Sequence, residues 1–542
     1  MRTYLLLSSL TVLASCNLIF GIEPGELGES SQGAAGPGGT GPGGSGAAGA
    51  TGGGGDGGSG GNAGGTGGDG GTGAIGGTGG TGGAGAVCDP LDLGAGEAID
   101  PSCGVFVAPG ASAVGDGSQA MPFNDVFAGL NALPAGGRLY LCGSNSVDAA
   151  EITLSGEFAI FGTLDCGAWS YDSMKRTILR GSKGPFITVQ QGSNVLLHGL
   201  VIQGNADENV GSSAVAIAAI NAEVVVRDTD VAAGPGVAGE HGQDFSPTMG
   251  VAASPPGGNA SCPTAGAGAV KVCTNNGSSI TVSGGNGGGT CNMNMGGAGT
   301  QGAGMNPGAG GSFIGALCNN GGAGGPGSHG QSSPVGANGA GFLDVTSMSW
   351  SADFAPMATE GNPGSGGGGG GACIGGAGGG GGAGGCGGLP GGNGRGGGAS
   401  FAIAAVGSMT NVTLIRARLS SQSGGQGGNG GRGQIGGNGG QGGSGTVNAR
   451  PGGAGGNGGY GGSGASGPGG PSALVAMTPN ANVTADQTTL DQSTGLGPGG
   501  PPGAPGAGFG GTLPGPGAMS AAGLSCARIT FTPGQLATCS NL

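Results

Sequence analysis

The sequence predicts an all-β chain: a parallel β-helix solenoid interrupted by long glycine-rich insertions. Three observations predict it. Glycine is 151 of 542 residues, about four times its usual share of roughly 7%, so packed structure must lie between the glycine tracts. Short β-branched runs closed by Gly, Asn or Asp begin after residue 87 ("RLYLC", "EITLS", "FAIFGTL", "TILRG", "FITVQ") and read as strands. Third, one apolar arithmetic recurs along the chain.

That arithmetic is seen in "VLLHGLVI" from Val195, "VVVRDTDV" from Val224, "LDVTSMSW" from Leu343, "VTLIRARL" from Val412 and "VTADQTTL" from Val483. Apolar or small residues stand first, again two later (Leu197, Val226, Val345, Leu414, Ala485) and again seven later (Ile202, Val231, Trp350, Leu419, Leu490). A step of two is one face of a strand, and the odd step to seven implies a bend into a second strand. Val195 to Val224 is 29 residues; Val412 to Val483 is 71, or 23 once the 48 residues from Gly424 to Pro471 are removed. Both lengths suit one turn of a solenoid of 20- to 50-residue repeats, with the glycine tracts inserted at corners. A second apolar strand precedes the motif as "SAVAIAAI" at Ser213, "SFAIAAV" at Ser400 and "SALVAM" at Ser472. One short amphipathic helix is predicted near Asn124 to Leu133.

Taken in order, residues 1–15 form a lipoprotein signal peptide: Arg2, then an apolar run from Leu5 to Leu13, then small residues before Cys16. Leu13, Ala14, Ser15 and Cys16 resemble the bacterial lipobox, in which the cysteine is acylated. The competing reading is an uncleaved anchor, because Leu18, Ile19, Phe20 and Ile22 prolong the apolar run. Residues 16–86 form a tether whose part from 24 on has almost nothing apolar, with a coil reach of about 45 Å. Residues 87–235 give the N-terminal coils and the cap helix. Residues 236–542 give further coils, interrupted at approximately 284–340, 361–398, 424–471 and 495–518.

At "GDGSQAMPFNDVFAGL", "GGRLYLC" and "NVLLHGLVIQGN" with its later echoes, the chain resembles the right-handed parallel β-helix proteins of pectin-lyase-like fold, in the glycine-rich version labelled PGRS in bacterial surface proteins. The resemblance spans roughly 103–532. It implies a fold and a place at the cell surface, and it transfers no catalytic residue.

The stretch "GGNGGRGQIGGNGGQGGSG", residues 427 to 445, has glycine at every third position and no proline, which disfavours collagen. Similar strict runs occupy Gly64 to Gly85 and Gly452 to Gly470. Two states compete. Extended tracts with bare backbone faces can hydrogen-bond laterally as a bundle, whereas glycine's ordering entropy favours a solvated loop. The ends of 424–471 are held by the coils, which favours order there. The first tract, held at one end, is expected to stay mobile.

Beyond Cys16, twelve cysteines remain, an even number in an exported chain, which favours disulfides. Pairing of sequence neighbours would join Cys88 with Cys103, Cys142 with Cys166, Cys262 with Cys273, Cys291 with Cys318, Cys373 with Cys386, and Cys526 with Cys539; connectivity does not follow from sequence. No metal site is expected, since close CxxC pairs with histidine are absent and His198, His241 and His329 lie far apart. No cofactor is expected. A net charge of −14 argues against nucleic-acid binding.

The weak catalytic candidates are Asp228 and Asp230 in "VRDTDV". Two residues apart, they share one strand face about 7 Å from each other, inside the range of inverting glycosidases. The other copies replace them by Gly199 and Val201, Arg416 and Arg418, or Gln487 and Thr489, which makes a solvated corner the stronger reading. "GDG" at Gly115 to Gly117 and "GGTGGDGGTG" at Gly64 to Gly73 lack the calcium nonapeptide pattern, and His241 in "GEHG" has no nucleophile elbow beside it. The function expected is a lipid-anchored cell-envelope protein, at the outer membrane and facing the surface or the periplasm. It would act as a display, adhesion or structural scaffold without catalysis, its partners the membrane through the N-terminal lipid and polysaccharide or surface proteins. The alternative is a polysaccharide lyase or glycoside hydrolase acting on acidic polysaccharides, which rests on fold analogy.

Overall fold

A computed structural model describes residues 87–542 apart from 95, 110, 112–114, 144–145, 247, 249, 290–296, 315–316, 338–340, 344–349, 352–354, 494, 510–512 and 534. Cys16, the signal segment, the tether with Gly64 to Gly85, Cys291 and Val345 lie outside the described residues.

Three mostly parallel sheets carry the apolar runs. The first holds Val105–Val107, Gly137–Cys142, Glu157–Leu164, Asn194–His198, Glu223–Arg227, Asn411–Ile415 and Asn482–Ala485, hydrogen-bonded in that order and all parallel. The second holds Ile152–Leu154, Ile187–Val189, Ala214–Ile220, Ser400–Val406, Ser472–Met477 and Ser525–Thr530, closed by the antiparallel strand Thr538–Ser540. The third holds Ser146–Ala149, Thr177–Gly181, Leu200–Gly204, Asp230–Ala233 and Arg418–Ser421. From Gly137 to Ala485 the chain visits first, third and second sheet in rotation.

The recurring apolar positions line up because the pleat sends every second side chain inward. Val195, Val224, Val412 and Val483 are neighbours in register, as are Leu197, Val226, Leu414 and Ala485, and Ile202, Val231 and Leu419 in the third sheet. Together they form one core. The strands from Ala214, Ser400 and Ser472 are buried nearly throughout, since each is covered on both faces. The predicted helix is Val126–Ala132, whose N-cap Asp125 accepts from the Phe127 N–H.

Two of the five motif copies depart from the arithmetic. Phe342–Leu343 pairs antiparallel with Trp350–Ser351 in a separate two-stranded sheet. Leu343 and Trp350 pack with Val215, Phe401 and Ile529 on a second apolar cluster, so this copy covers strands from outside instead of extending a sheet. In the last copy Leu490 sits on the helix Gln487–Gln492. There Asp486 accepts from the Thr489 N–H at 2.8 Å, an N-cap that turns the chain into a helix where the third-sheet strand was expected.

The glycine tracts are ordered, which overturns the solvated-loop reading for those described. From 424 to 443 the N–H groups of Gly425, Gly428, Gly431, Gln434, Gly437, Gly440 and Gly443 donate to carbonyls from Gly398 back to Gly380, every third residue of an antiparallel tract. The carbonyls of Gln426, Asn429, Asn438 and Gln441 accept from a third tract at Gly239, Gly242, Ser254 and Gly257. Gly424, Gly427 and Gly430 donate to a fourth, at Pro498, Pro501 and Ala504. Each face of a three-residue helix thus meets a different neighbour, and most amides in the bundle find partners at about the length of sheet hydrogen bonds. The absence of side chains is what allows the approach: a Cβ on Gly431 would lie 1.7 Å from the Gln243 carbonyl oxygen, and one on Gly464 2.0 Å from that of Gly392.

Disulfides join Cys88 to Cys103, Cys142 to Cys166 and Cys526 to Cys539. Neighbour pairing fails elsewhere: Cys273 bonds Cys386 and Cys318 bonds Cys373, so Cys262–Cys273, Cys291–Cys318 and Cys373–Cys386 do not form. Cys262 is itself disulfide-bonded. The bundle is the reason, because antiparallel tracts far apart in sequence lie side by side there.

Candidate functional site

The corner between the first and third sheets holds both candidate carboxylates. Gly199, Asp228 and Arg416 occupy successive turns of this corner, all with positive φ (67°, 48° and 47°), a conformation glycine adopts freely and Asp tolerates. Asp228 receives a two-pronged bond from Arg416, with Nε at 2.7 Å and Nη2 at 2.6 Å. Burial pushes the Asp228 carboxyl up, but the Arg416 hydrogen bond and charge outweigh it and hold the group below the ordinary aspartate value. The same bond raises Arg416. Asp230 opens the strand Asp230–Ala233 and meets Arg176 Nη1 at 3.0 Å. Each carboxylate is therefore matched to its own guanidinium. A general acid needs a raised pKa, and Asp228 has the reverse.

Beneath this corner lies His198, fully buried, on the outer side of the first sheet. Phe106, Tyr140, Phe161 and His198 stand in register on consecutive strands. Their ring centroids are 5.0, 5.4 and 5.9 Å apart. Neither ring nitrogen of His198 is hydrogen-bonded, and Nδ1 lies 3.6 Å from Asp228 Oδ2. Burial lowers its pKa, with the Asp228 charge opposing. Burial also pushes the Tyr140 phenol up to about 12, and its hydroxyl donates to the Cys88 carbonyl at 2.6 Å. This column was missed in the sequence because its members alternate with the inward residues and sit on strands of unequal spacing.

Near the same corner an open pocket of about 450 Å³ is lined by Gly96, Asp165, Ser170, Tyr171, Asp172, Ser173 and Lys175. Lys175 Nζ bonds Asp165 directly and holds its carboxyl down at about 2, helped by the Ala168 and Gly167 N–H groups. Asp165 and Lys175 are thus paired to each other, and Asp172 lies 3.9 Å from the same Lys175 Nζ. Asp116 of the "GDG" stretch caps a turn through the Ser118 N–H at 2.9 Å. Among the described residues no group of three His, Cys, Asp or Glu is placed to hold a metal, and no helix is long and apolar enough to cross a membrane.

On the bundle, the side chains at every third position have a structural task. His241 Nδ1 accepts from the Asn429 N–H at 2.8 Å, Asn429 Oδ1 from the Ala504 N–H at 2.8 Å, and Asp244 Oδ1 from the Arg432 N–H at 2.7 Å. His329 Nδ1 likewise accepts from the Tyr460 N–H at 3.1 Å. Residues with a short acceptor satisfy amides that the neighbouring backbone does not reach, which explains the recurrence of Asn, Gln, Ser and His between the glycines. His241 is thus a cap on a neighbouring tract's amide. No protein-family model, curated protein or solved structure matches this chain.

Proposed function

We propose that this chain is a lipid-anchored cell-envelope protein that acts as a surface display, adhesion or structural scaffold without catalysis. In this reading its three sheets wind as a right-handed parallel β-helix. The observation that carries the proposal is the ordered glycine bundle. A rigid body of backbone tracts, edged by short polar side chains, suits lateral contact better than enclosure of a small substrate, for which a concave, largely apolar pocket is the usual form. The rotation of the chain through three sheets supports the solenoid. The arginine partners of Asp228 and Asp230 support the absence of catalysis, and the lipobox-like run ending in Cys16 supports the anchor, at the outer membrane.

Two experiments test it. Labelling with a clickable fatty acid should mark the wild type and not Cys16→Ser; equal labelling of both would remove the anchor, and protease shaving of whole cells then distinguishes a surface-facing chain from a periplasmic one. Purified protein incubated with acidic polysaccharides, with and without calcium, should release no products. Turnover abolished by Asp228→Ala would establish the lyase or glycosidase alternative.

A further inference from the structure

One end of the glycine bundle holds aliphatic side chains out in water. The tract 424–445 leaves the third-sheet strand Arg418–Ser421 and turns at 446–449, and the tract 376–398 leads from a turn at 373–376 into the strand Ser400–Val406. Both turns therefore lie at the end of the bundle away from the sheets, roughly 60 Å along a tract at a rise of about 3.1 Å per residue. The hairpin of Phe313–Ile314 and Leu317–Cys318 meets them there. The Cys373 N–H donates to the Asn448 carbonyl at 3.2 Å, Ala372 bridges Ala449, Cys318 is disulfide-bonded to Cys373, and Arg450 Nε donates to the Cys318 carbonyl at 3.3 Å. Next to these joined residues in the chain stand Val447, Leu317 and Ile374, with 101%, 76% and 42% of their surfaces exposed. In a chain of net charge −14, the segments 312–319, 371–376 and 444–451 contain no Asp or Glu, and their one charge is Arg450. Arg450 is exposed, and among the described residues no carboxylate pairs with it.

We propose that Val447, Leu317, Ile374 and Arg450 form a tip that seats on an anionic phospholipid bilayer. A bilayer surface takes aliphatic side chains at the boundary between headgroups and acyl chains, and its phosphates take a guanidinium. Charge selects this end of the molecule: an anionic surface repels the acidic chain as a whole and attracts the segment that carries Arg450 without a carboxylate. Shape selects the bilayer over a second copy. Three side chains projecting from turns cover far less than the roughly 1,200 Å² that a stable protein interface buries, whereas lipid closes around each one separately. The disulfide and the bonds between turns hold the side chains in place before contact, so little ordering opposes it. This contact is distinct from acylation at Cys16 and does not rest on it.

The test uses the full-length chain with Cys16→Ser, which removes the acylated residue, and places a reporter at the tip with Val447→Trp. Trp169 and Trp350 are buried, so the chain without Val447→Trp gives the baseline. The protein is titrated with vesicles of brominated phosphatidylcholine, with and without phosphatidylglycerol. The tip tryptophan should be quenched. Leu317→Asn combined with Ile374→Asn should raise the lipid concentration at half-quenching about 10-fold, as two aliphatic contacts are lost. Arg450→Gln should raise it about 5-fold on the anionic vesicles and leave the neutral ones unchanged, and roughly 0.5 M salt should have the same effect. Val447 is fully exposed, so Val447→Trp should keep the wild-type melting temperature, which guards against a trivial loss of fold. An unquenched tryptophan, an unchanged lipid demand in the Leu317 and Ile374 variant, or self-association of the protein that this variant abolishes would overturn the proposal. Fatty-acid labelling at Cys16 reads the anchor independently, so the two readings can fail separately.

Discussion

Replacing Gly380 by alanine puts a methyl group where another tract's backbone already lies. Gly380 is buried, its N–H donates to the Gly258 carbonyl at 2.9 Å, and its carbonyl accepts from Gly443 at 2.7 Å. A Cβ would stand 1.9 Å from the Ala267 oxygen and 2.4 Å from its carbon. Restoring ordinary contact requires this tract to part from the Ala267 tract by more than an ångström, which takes the bonds from the buried Gly266 N–H to the Gly378 carbonyl (2.9 Å) and from the buried Ala269 N–H to the Gly381 carbonyl (3.0 Å) beyond useful length. Leaving those buried groups unpaired costs about 1–3 kcal/mol each, while alanine returns roughly 0.4–1 kcal/mol by restricting the unfolded chain. The net expectation is a loss of about 1–6 kcal/mol, measured by urea unfolding and, at the tracts themselves, by amide hydrogen exchange. Gly515→Ala is the control, since a Cβ there meets nothing within 4 Å and should change stability by less than about 1 kcal/mol in either direction. Stability of Gly380→Ala within about 0.5 kcal/mol of wild type would refute the argument that close backbone approach requires glycine in the bundle.

Two further predictions follow from buried groups and cross-links. His198 has its pKa lowered by burial, so below the ordinary imidazole value of about 6.5 the unfolded chain takes up a proton that the folded chain refuses. Stability should fall as pH drops through that range and level off below the depressed folded value; His198→Phe should flatten this part of a pH-stability curve, and an unchanged slope would count against the buried neutral ring. Non-reducing peptide mapping should recover Cys273 linked to Cys386, across 113 residues, and Cys318 linked to Cys373. Replacing both Cys273 and Cys386 by serine should cost about 2–5 kcal/mol, and recovery of a Cys262–Cys273 peptide would contradict the arrangement of the tracts.

The strand core was legible because its information is local. Val195 and Leu197, or Val412 and Leu414, reveal an inward face through spacing alone, and their registers follow once each strand is recognised. The Leu343 copy shows the limit of that reading: its residues satisfy the same spacing yet pack on the outside of the second sheet, since apolar periodicity states that a face is covered without stating by what. The two candidate aspartates were legible as a pair on one corner, whereas their arginine partners were not. Arg416 is 188 residues from Asp228 and Arg176 is 54 from Asp230.

By itself the sequence determined the strand-rich class, most of the inward-facing residues, the short cap helix, and that glycine recurring in threes leaves bare backbone faces that permit close approach. Only the tertiary structure decided that the described tracts are ordered, which tract meets which, and therefore which cysteines join and which side chains cap a neighbouring tract's amides. The physical reason is that a glycine tract carries no side-chain pattern to specify its neighbour. Its partners are set by where the three sheets hold its ends, and its hydrogen bonds form with whatever backbone those ends bring alongside.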